Sequence, residues 1–435
     1  MDLLNPSSSP DALLIADRSG GISRGALAAR VEARKKELLA DQMGVDSAGH
    51  VRPLEIDADV DGIVELLATW SAGLVAAPLN TRLTDSARRE ARTALAAASP
   101  PVSTSVILWT SGTSGRPTGV ALSWANLKAS AQAAAVRLGL RTDDVWLASL
   151  SLAHVGGLAL VTRALLLGSR LIAGGRFNVA ETVELLEWAN GPTHVSLVPT
   201  QLHHLLDAWG SRPAPARLRC VLIGGAHAPH NLVQRAVDGG WPIALTYGAT
   251  EMSSQIATAG PDEVRAGRRD VGLPLDGVEV CVGEDGELLA RGITQALGYV
   301  DDGDRVGDIS DREGWYHTGD LGEVDEEGRL SILGRRIDRI VTGGVTLDAV
   351  SLEEDLRRHP AVLDVCVVGL PDDVWGERVA AWVEPVQGEF DLDDVESWVA
   401  EEMTSSHRPR LWKVGASLPR NPNGKVDRAQ VRLAF

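Results

Sequence analysis

Apolar segments in the first part of the chain alternate between short strand-like runs and longer stretches with helical spacing. "LVTRALLLGSRLIAG" predicts a helix that leads into a strand, and "HVSLVPTQLHHLLDAW" predicts a strand, a proline turn and an amphipathic helix. "LRCVLIGGA" and "WPIALTYGATE" predict short buried strands that end in turns of small residues. Strands that alternate with helices indicate a mostly parallel α/β sheet, in which ligands bind at the carboxyl ends of the strands.

The pattern changes near residue 272. "GVEVCVGEDGELLARG" and "GEVDEEGRLSILGRR" are strand–turn–strand units, which predict antiparallel β structure. After residue 334, a helix that ends at a proline, two strands and a second helix predict a small α+β domain. We therefore predict a large α/β N-terminal domain, with a small β subdomain, over residues 1–335. A small α+β C-terminal domain is predicted over residues 336–435.

Length and composition limit the possible classes of protein. A chain of 435 residues with 44% hydrophobic residues is long enough for two or more domains and can fill a large core. No run of about 18 apolar residues predicts a transmembrane helix, and the N-terminus lacks the features of a signal peptide. The three cysteines, Cys220, Cys281 and Cys366, are far apart and have no metal-binding spacing, which suits a reducing cytoplasm.

The formal net charge of −17 argues against a nucleic-acid-binding protein, because such proteins carry a basic patch or stripe. Only five of the 42 basic residues are lysine, and Asp and Glu occur in runs such as "VDDGDRVGD" and "VDEEGR". This charge is typical of a protein from a high-salt cytoplasm, and equally of an ordinary acidic protein from a GC-rich genome. The sequence does not determine the oligomeric state, and a homodimer is compatible with it.

A loop rich in glycine and hydroxyl side chains, "TSGTSGRPTG" (110–119), follows an apolar strand. Its glycines allow the backbone to turn tightly, so that successive N–H groups form an anion nest, and its hydroxyls can donate to phosphate oxygens. It is not a Walker A loop, because no G-K-[ST] sequence follows the glycines, and Thr118 stands where lysine is often found. The loop alone is also compatible with a flexible surface segment.

Four other short motifs contain groups suited to a nucleotide. "YGATE" (247–251) offers a ring for a purine, a hydroxyl for phosphate and a carboxylate for Mg²⁺. "YHTGDLG" contains Asp320, a suitable acceptor for ribose hydroxyls, and "GRRIDRI" contains Arg335. "PRNPNGKVDR" presents Lys425 after an Asn-Gly turn. Taken singly, each residue also has a structural explanation, as a core aromatic, a turn cap or a solvated charge.

Together and in this order, over about residues 107–426, these motifs resemble the adenylate-forming superfamily of acyl-CoA synthetases, nonribosomal adenylation domains and luciferases. The resemblance implies stacked, mostly parallel sheets in the large domain and a small, mobile C-terminal lid domain. It also implies a two-step reaction that uses ATP, Mg²⁺ and a thiol such as coenzyme A. A carboxylate first reacts with ATP to give an acyl-adenylate and pyrophosphate, and the thiol then displaces AMP.

The resemblance also assigns roles to individual residues. The phosphate loop would bind the β- and γ-phosphates through Thr110, Ser111, Gly112, Thr113, Ser114 and Gly115. The adenine and acyl groups would contact Gly224, Gly225, Ala226, Tyr247 and Gly248. Thr250 would bind the α-phosphate, Glu251 would bind Mg²⁺, and Asp320 with Arg335 would bind the ribose. Asp338 would be the hinge of the lid, and Gly343 and Gly344 would form the loop on the CoA side. Lys425 would be the lysine that bridges the substrate carboxylate and the α-phosphate.

One compact subfamily, the o-succinylbenzoate–CoA ligases of menaquinone biosynthesis, is the most similar. "SLAHVGGLALVTRALLLGSRL" resembles its pattern of a His, two residues, a Gly and a later Arg, with His154, Gly157 and Arg163. The substrate of that subfamily has two carboxylates, and the ring carboxylate must be bound without reacting. Arg163, on an apolar helix, is the candidate for a bidentate contact with it. A surface position or a structural ion pair for Arg163 is equally compatible with that helix, and His154 could face the acyl pocket or simply fill the core.

Other functions remain open on the sequence alone. Another aryl- or short-chain acyl-CoA synthetase would carry the same motifs, and so would a stand-alone adenylation enzyme that loads a carrier protein. A non-catalytic nucleotide-binding module would have lost Lys425 or Glu251, and both are present. We expect a cytoplasmic enzyme that binds a small carboxylic acid, ATP and coenzyme A, with no nucleic acid partner and no membrane segment.

Overall fold

The computed structural model describes residues 13–17, 20–41, 50–110, 118–300, 306–386, 390–421 and 424–435. The chain divides into two compact units. Unit 1 comprises Met1–Cys281, Leu289–His317 and Asp325–Leu330, and unit 2 comprises Val282–Leu288, Thr318–Val324 and Ser331–Phe435. The domain boundary after residue 335 stays a prediction.

Thirteen strands precede the predicted β subdomain in the described residues. They are β1 (Leu13–Asp17), β2 (Gly20–Ser23), β3 (Val51–Glu55), β4 (Val75–Leu79), β5 (Thr104–Thr110), β6 (Thr118–Ser123), β7 (Val145–Ala148), β8 (Arg170–Ala173), β9 (His194–Leu197), β10 (Cys220–Ile223), β11 (Ile243–Ala249), β12 (Ser254–Ala259) and β13 (Leu273–Pro274). The later strands are β14 (Val278–Val282), β15 (Glu287–Gly292), β16 (Gly298–Val300), β17 (Val306–Gly307), β18 (Tyr316–Val324), β19 (Leu330–Arg335), β20 (Arg339–Thr342), β21 (Val345–Asp348), β22 (Val362–Asp372), β23 (Gly376–Pro385) and β24 (Leu411–Val414).

The helices follow the segments where apolar residues recur with helical spacing. They are α1 (Arg24–Asp41), α2 (Val60–Ser71), α3 (Asp85–Ala97), α4 (Trp124–Leu138), α5 (Val155–Leu167), α6 (Val179–Glu187), α7 (Pro199–Trp209), α8 (His230–Asp238), α9 (Pro261–Arg265), α10 (Ala349–Leu356), α11 (Leu392–Glu402) and α12 (Arg428–Leu433). Short 3₁₀ turns span Thr250–Met252 and Arg336–Asp338. None of the described helices combines the length and the apolar character that a membrane crossing needs.

Two large sheets form the body of unit 1. The nine-stranded sheet has the order β13-β12-β11-β10-β9-β7-β8-β1-β2, and its strands are parallel from β11 to β1. The six-stranded sheet has the order β17-β16-β6-β5-β4-β3, with β3, β4 and β5 parallel. Both faces of the larger sheet are covered, because neighbouring residues of β10 alternate between two separate apolar clusters.

One apolar cluster connects the two sheets of unit 1. It contains Leu222 from β10, Leu108 from β5 and Leu122 from β6, together with Leu127 of α4 and Leu160 of α5. The two sheets therefore share a core to which both helices contribute. This arrangement confirms the predicted α/β class, and the four strands and two helices predicted for the quoted segments of this region are present.

The predicted β subdomain is a four-stranded sheet with the order β14-β15-β18-β19. The C-terminal part of unit 2 is an α+β domain, as predicted, with the strand order β21-β20-β23-β22 and β24 beside β23. Leu352 of α10 and Val399 of α11 pack in one cluster with Val365 of β22. Val431 of α12 packs in a second cluster with Cys366, so this sheet is also covered on both faces.

Candidate active site

The phosphate loop connects two neighbouring strands of the six-stranded sheet. β5 and β6 are antiparallel, and the last pair before the loop is Thr110 with Thr118. The predicted phosphate ligands Ser111, Gly112, Thr113, Ser114 and Gly115 lie outside the described residues, as does the side chain of Thr110. The structure therefore defines the two strand ends from which the loop starts, and the contacts of the loop stay a prediction.

Two of the small-residue turns lie at one edge of the nine-stranded sheet. β10 and β11 are parallel neighbours, with Ile223 opposite Leu245, so their carboxyl ends are adjacent. The turn 224–226 follows β10, and Tyr247 lies near the end of β11. The Tyr247 ring is half-buried and packs against the core between the two sheets. This edge is where a parallel sheet is expected to bind its ligand.

A tight backbone turn holds the end of the "YGATE" segment. A Cβ atom on Gly248 would lie 1.8 Å from the carbonyl oxygen of Ser254, so this position requires glycine for packing, whether or not a nucleotide binds. Thr250 and Glu251 follow in a 3₁₀ turn, after which the backbone of Ser253 has a positive φ of 55°. Thr250 and Glu251 are therefore held by a closely packed segment of backbone.

Glu251 has a partner that the sequence analysis missed. The Tyr299 hydroxyl donates to Glu251 Oε1 at 3.2 Å. Burial and the Glu251 carboxylate raise the pKa of the Tyr299 hydroxyl, so it stays protonated as a donor at neutral pH. Tyr299 lies on β16 opposite Val120 of β6, the strand that follows the phosphate loop. The proposed Mg²⁺ ligand is thus tied to the sheet that carries this loop.

Arg163 lies inside unit 1 rather than at its surface. Its residue exposure is 1%, and its guanidinium carbon is 5.6 Å from the centre of the Trp146 ring. Nη2 donates to Gln255 Oε1, and the buried Nε has no hydrogen-bond partner among the described residues. Burial lowers the pKa of Arg163 to about 10, against a smaller opposing effect of Cys220, and the side chain is still charged at neutral pH.

In the described part of the chain, Arg163 also lacks the structural ion pair that its sequence left open. Within the described residues, no carboxylate is within ion-pair distance of the guanidinium. A buried charge without a partner of opposite sign is costly, so this cation lies in a site where an anion would be strongly stabilised. The two structural explanations considered for Arg163, a surface position and an ion pair, are therefore wrong for the described part of the chain.

His154 precedes α5 at its N-cap position and is half-buried. Its Nε2 is 3.5 Å from Asn80 Nδ2, at the long end of the hydrogen-bonding range. Arg163 is nine residues further along, inside the helix that begins after His154. The motif that the sequence analysis singled out therefore places one half-buried and one fully buried basic side chain on the same helical element.

The two predicted ribose ligands form an ion pair within unit 2. Arg335 Nε is 2.7 Å from Asp320 Oδ1, and Asp320 is largely buried while about half of the Arg335 side chain is exposed. The Asp320 amide donates to Thr318 Oγ1 at 3.1 Å, which fixes the turn that presents the carboxylate. A carboxylate held in this way can accept from a vicinal diol without losing its arginine partner.

Lys425 also belongs to unit 2, where it follows the predicted Asn-Gly turn. Its backbone N–H donates to Asn421 Oδ1 at 3.1 Å, and its carbonyl accepts from the Asn421 amide at 2.8 Å. The side chain is exposed, yet partial desolvation and the Arg335 guanidinium lower the pKa of Lys425, while Asp320 acts in the opposite direction. These directions indicate that Lys425 shares the electrostatic environment of the proposed ribose ligands.

The predicted hinge residue is engaged in a charge cluster. Asp338 Oδ2 is 3.2 Å from Arg428 Nε, and Asp338 Oδ1 is 3.4 Å from Arg432 Nη2. Both arginines lie on α12 or at its start, directly after the segment that carries the proposed catalytic lysine. The sequence analysis did not predict either contact. The hinge role of Asp338 stays a prediction.

Gly343 and Gly344 form the two-residue turn of the β20–β21 hairpin. Their φ angles are 58° and 81°, and Thr342 pairs with Val345 across the turn. Positive φ at both central positions is the type I′ geometry, which favours glycine. The ring of Trp375 lies against Gly343, where a Cβ atom would come within 2.8 Å of it. The turn thus carries no side chain of its own, and a Cβ atom on Gly344 would meet no other atom of the described chain within 4 Å.

The described residues hold no group of three or more His, Cys, Asp or Glu side chains that could bind a metal ion by themselves. A magnesium ion that accompanies ATP does not need one, because Mg²⁺ keeps several waters and takes its other ligands from one or two carboxylates and the phosphates. Glu251, oriented by Tyr299, fits such a single-carboxylate role.

The chain is similar to known proteins along most of its length. Residues 85–300 match the family described as AMP-binding enzyme, and residues 351–425 match the AMP-binding enzyme C-terminal domain. Over 335 residues the chain is 37% identical to the 2-succinylbenzoate–CoA ligase of Bacillus cereus strain Q1. The aligned segment covers 75% of this chain and 69% of the relative.

Solved structures extend the similarity to both units. The o-succinylbenzoate CoA synthetase of Bacillus subtilis in complex with the acyl-adenylate intermediate OSB-AMP is 26% identical, with a TM-score of 0.86 and coverage of 98% of this chain and 96% of that chain. The same synthetase in complex with ATP and magnesium ion is 26% identical, with a TM-score of 0.84 and coverage of 97% of both chains.

Proposed function

Because this chain belongs to the AMP-binding enzyme family, we propose that it is an ATP-dependent o-succinylbenzoate–CoA ligase of menaquinone biosynthesis. The acid is the one named 2-succinylbenzoate in its relatives. The reaction would join the succinyl carboxylate to AMP with release of pyrophosphate. The thiol of coenzyme A would then attack the acyl carbon and release AMP.

The buried Arg163 is the observation that favours this acid. A monocarboxylic acid has one carboxylate, which is consumed in the reaction and must lie beside the α-phosphate. A fully buried guanidinium without a carboxylate partner in the described chain is best explained by a second carboxylate on the substrate. Trp146, which is also fully buried, lies against the guanidinium and would form an apolar, aromatic wall of such an acid site.

The first half-reaction brings two anions together, the succinyl carboxylate and the α-phosphate. Lys425 would bridge them with its ammonium group, and Thr250 would donate to the α-phosphate. A magnesium ion held by Glu251 would neutralise phosphate charge. Asp320 and Arg335 would bind the ribose, and Tyr247 would pack on the adenine. The phosphate loop 110–115 would hold the departing pyrophosphate.

The second half-reaction needs the thiol to reach the acyl carbon. The hairpin turn of Gly343 and Gly344, which has no side chains of its own, would allow the narrow pantetheine arm to pass close to the backbone. Rotation of the C-terminal domain about Asp338 would move Lys425 away from the acyl-adenylate and bring this turn towards it. Domain motions complete active sites in this way in other enzymes. The contacts of Asp338 with Arg428 and Arg432 would then have to rearrange or move with it.

The direct test is a panel of carboxylic acids incubated with ATP, Mg²⁺ and coenzyme A, with AMP and the thioester measured separately. We expect o-succinylbenzoate to give both products with the highest kcat/KM. Activity with benzoates or short-chain acids but not with o-succinylbenzoate would contradict the proposal. Adenylate formation and pyrophosphate exchange without discharge to free coenzyme A would instead indicate a carrier-protein adenylation enzyme.

Replacement of Asp320 by alanine should raise the KM for ATP by about 10- to 100-fold, because hydrogen bonds to a charged group contribute about 1.5–3 kcal/mol. The KM for the acid should change little, since the ribose is remote from the acyl group. Initial rates at varied ATP would measure the effect. Asp285→Ala is the control, because Asp285 is exposed and pairs with Arg336 in the same unit. Equal KM values for ATP in both variants would argue against a ribose role.

We propose a cytoplasmic location, which suits the biosynthetic role, and a homodimer as the oligomeric state.

We also propose adaptation to high salt, for which the net charge of −17 is the only support. A halophilic protein should gain thermal stability and activity between low and molar KCl. Full stability at low salt together with inactivation at high salt would contradict that adaptation. Sedimentation at low micromolar concentration would report the oligomeric state.

A further inference from the structure

Gln255 is the hydrogen-bond partner of the Arg163 guanidinium. It lies on β12, is 2% exposed, and accepts from Arg163 Nη2 through Oε1. Its Nε2 donates to Thr258 Oγ1 at 2.7 Å and to Thr246 Oγ1 at 3.3 Å. The two ends of the amide therefore have different partners, a cation on one side and two hydroxyl groups on the other.

The guanidinium and the two threonine hydroxyls together determine which way the amide points. The Thr246 hydroxyl donates to the carbonyl of Ala257 at 2.9 Å, so its oxygen is left to accept from Gln255 and from the Thr258 hydroxyl, 2.9 Å away. Thr258 then also accepts from Gln255. A rotated amide would direct its NH₂ group at the guanidinium, donor against donor, and leave Arg163 Nη2 unpaired in a buried site.

An amide at this position accepts a hydrogen bond from the Arg163 guanidinium without neutralising its charge. A carboxylate would form a buried ion pair with the guanidinium and compete with any ligand carboxylate. An apolar side chain would leave a buried N–H group without an acceptor. Of the described residues, only Gln255 is hydrogen-bonded to the Arg163 side chain, and the buried Nε remains without a partner. The charge and at least one donor thus stay available.

We propose that Gln255 is a positioning residue that holds Arg163 in place and keeps its charge free for the second carboxylate of an aromatic dicarboxylic acid. This inference rests on the proposed function and specifies how its acid site discriminates. The substrate carboxylate is recognised because the protein supplies the arginine with a neutral partner, and the preference for a dicarboxylic acid depends on Gln255 as well as on Arg163.

The test compares two acids in the complete enzyme: o-succinylbenzoate, and 4-oxo-4-phenylbutanoate, which lacks the ring carboxylate. In Gln255→Glu we expect the KM for o-succinylbenzoate to rise by at least about tenfold with kcat changed less than about twofold, since an internal carboxylate competes for the charge. The KM for the monocarboxylic acid should stay within about twofold of the wild-type value. Gln430→Glu, at an exposed position of α12, is the matched control for the added charge.

A second pair of variants keeps the test decisive if Gln255→Glu does not fold. Thr258→Val removes the hydroxyl that orients the amide and should raise the KM for o-succinylbenzoate severalfold, whereas Thr258→Ser keeps the hydroxyl and should restore the wild-type value. An equal loss with both acids would mean that Gln255 acts only in packing, and unchanged KM values would also overturn the inference. A wild-type enzyme that does not prefer the dicarboxylic acid would instead refute the proposed function itself.

Discussion

Replacement of Lys425 by alanine is expected to slow formation of the acyl-adenylate by at least about a hundredfold, because loss of one donor to a developing oxyanion costs about 3–4 kcal/mol. Lysine is well suited to this step, since its mobile ammonium has three donors and can contact both anions at once. Burial and the Arg335 guanidinium lower the pKa of Lys425, and Asp320 acts in the opposite direction. The substitution therefore removes the one lysine of its motif, whose two arginines, Arg420 and Arg428, are held in ion pairs with Asp364 and Glu353.

The two half-reactions separate this role from a structural one. Pyrophosphate exchange measures the first step, and release of AMP from pre-formed acyl-adenylate in the presence of coenzyme A measures the second. Lys425→Ala should lose the first and keep the second. Lys128→Ala, which removes an exposed lysine of α4, is the control for loss of a positive charge. Similar losses in both half-reactions would show that Lys425 does not act in adenylation alone.

Replacement of Arg163 by methionine is the second substitution with a large expected effect. It should raise the KM for o-succinylbenzoate by about 10- to 100-fold, because a charge-assisted contact with the ring carboxylate contributes about 1.5–3 kcal/mol. Methionine is preferred to alanine, since a long flexible side chain fills more of the space left in the core. The measurement is the initial rate of AMP formation at varied acid and saturating ATP.

The matched substrate again supplies the control for this prediction. With 4-oxo-4-phenylbutanoate, Arg163→Met should be as active as the wild-type enzyme or more so, because no carboxylate remains to be paired. Arg170→Met is the control variant, as Arg170 bonds a backbone carbonyl near the surface. If Arg163→Met left the KM for o-succinylbenzoate unchanged, the ring carboxylate would have to be bound elsewhere.

The local elements could be predicted from the sequence because their signals are local. α5 and β8, and β9 and α7, fall where the apolar spacing places them, and glycine turns follow the strands as expected. The nucleotide motifs could likewise be recognised from the sequence, since Asp320, Arg335 and Lys425 each lie in a short segment of distinctive composition. That Arg335 pairs with Asp320 is a contact the sequence analysis did not predict.

The contacts that tune the site could not be predicted, because they join residues that are remote along the chain. Tyr299 meets Glu251 across 48 positions, and Gln255 meets Arg163 across 92. Each contact depends on which strands become neighbours, and no periodicity or turn signal carries that information. For Arg163 the sequence left a surface position open, and only the packing of α5 against the nine-stranded sheet decides that the residue is buried.

The hydrogen bond between Gln255 and Arg163 also bears on how this specificity can change over generations. Glutamine and glutamate codons differ only at their first base, so one nucleotide substitution would place a carboxylate beside the buried guanidinium. The fold would gain an internal ion pair while the acid site lost its free charge. A single nucleotide substitution would thus convert this protein into a form that has no reason to prefer a dicarboxylic acid.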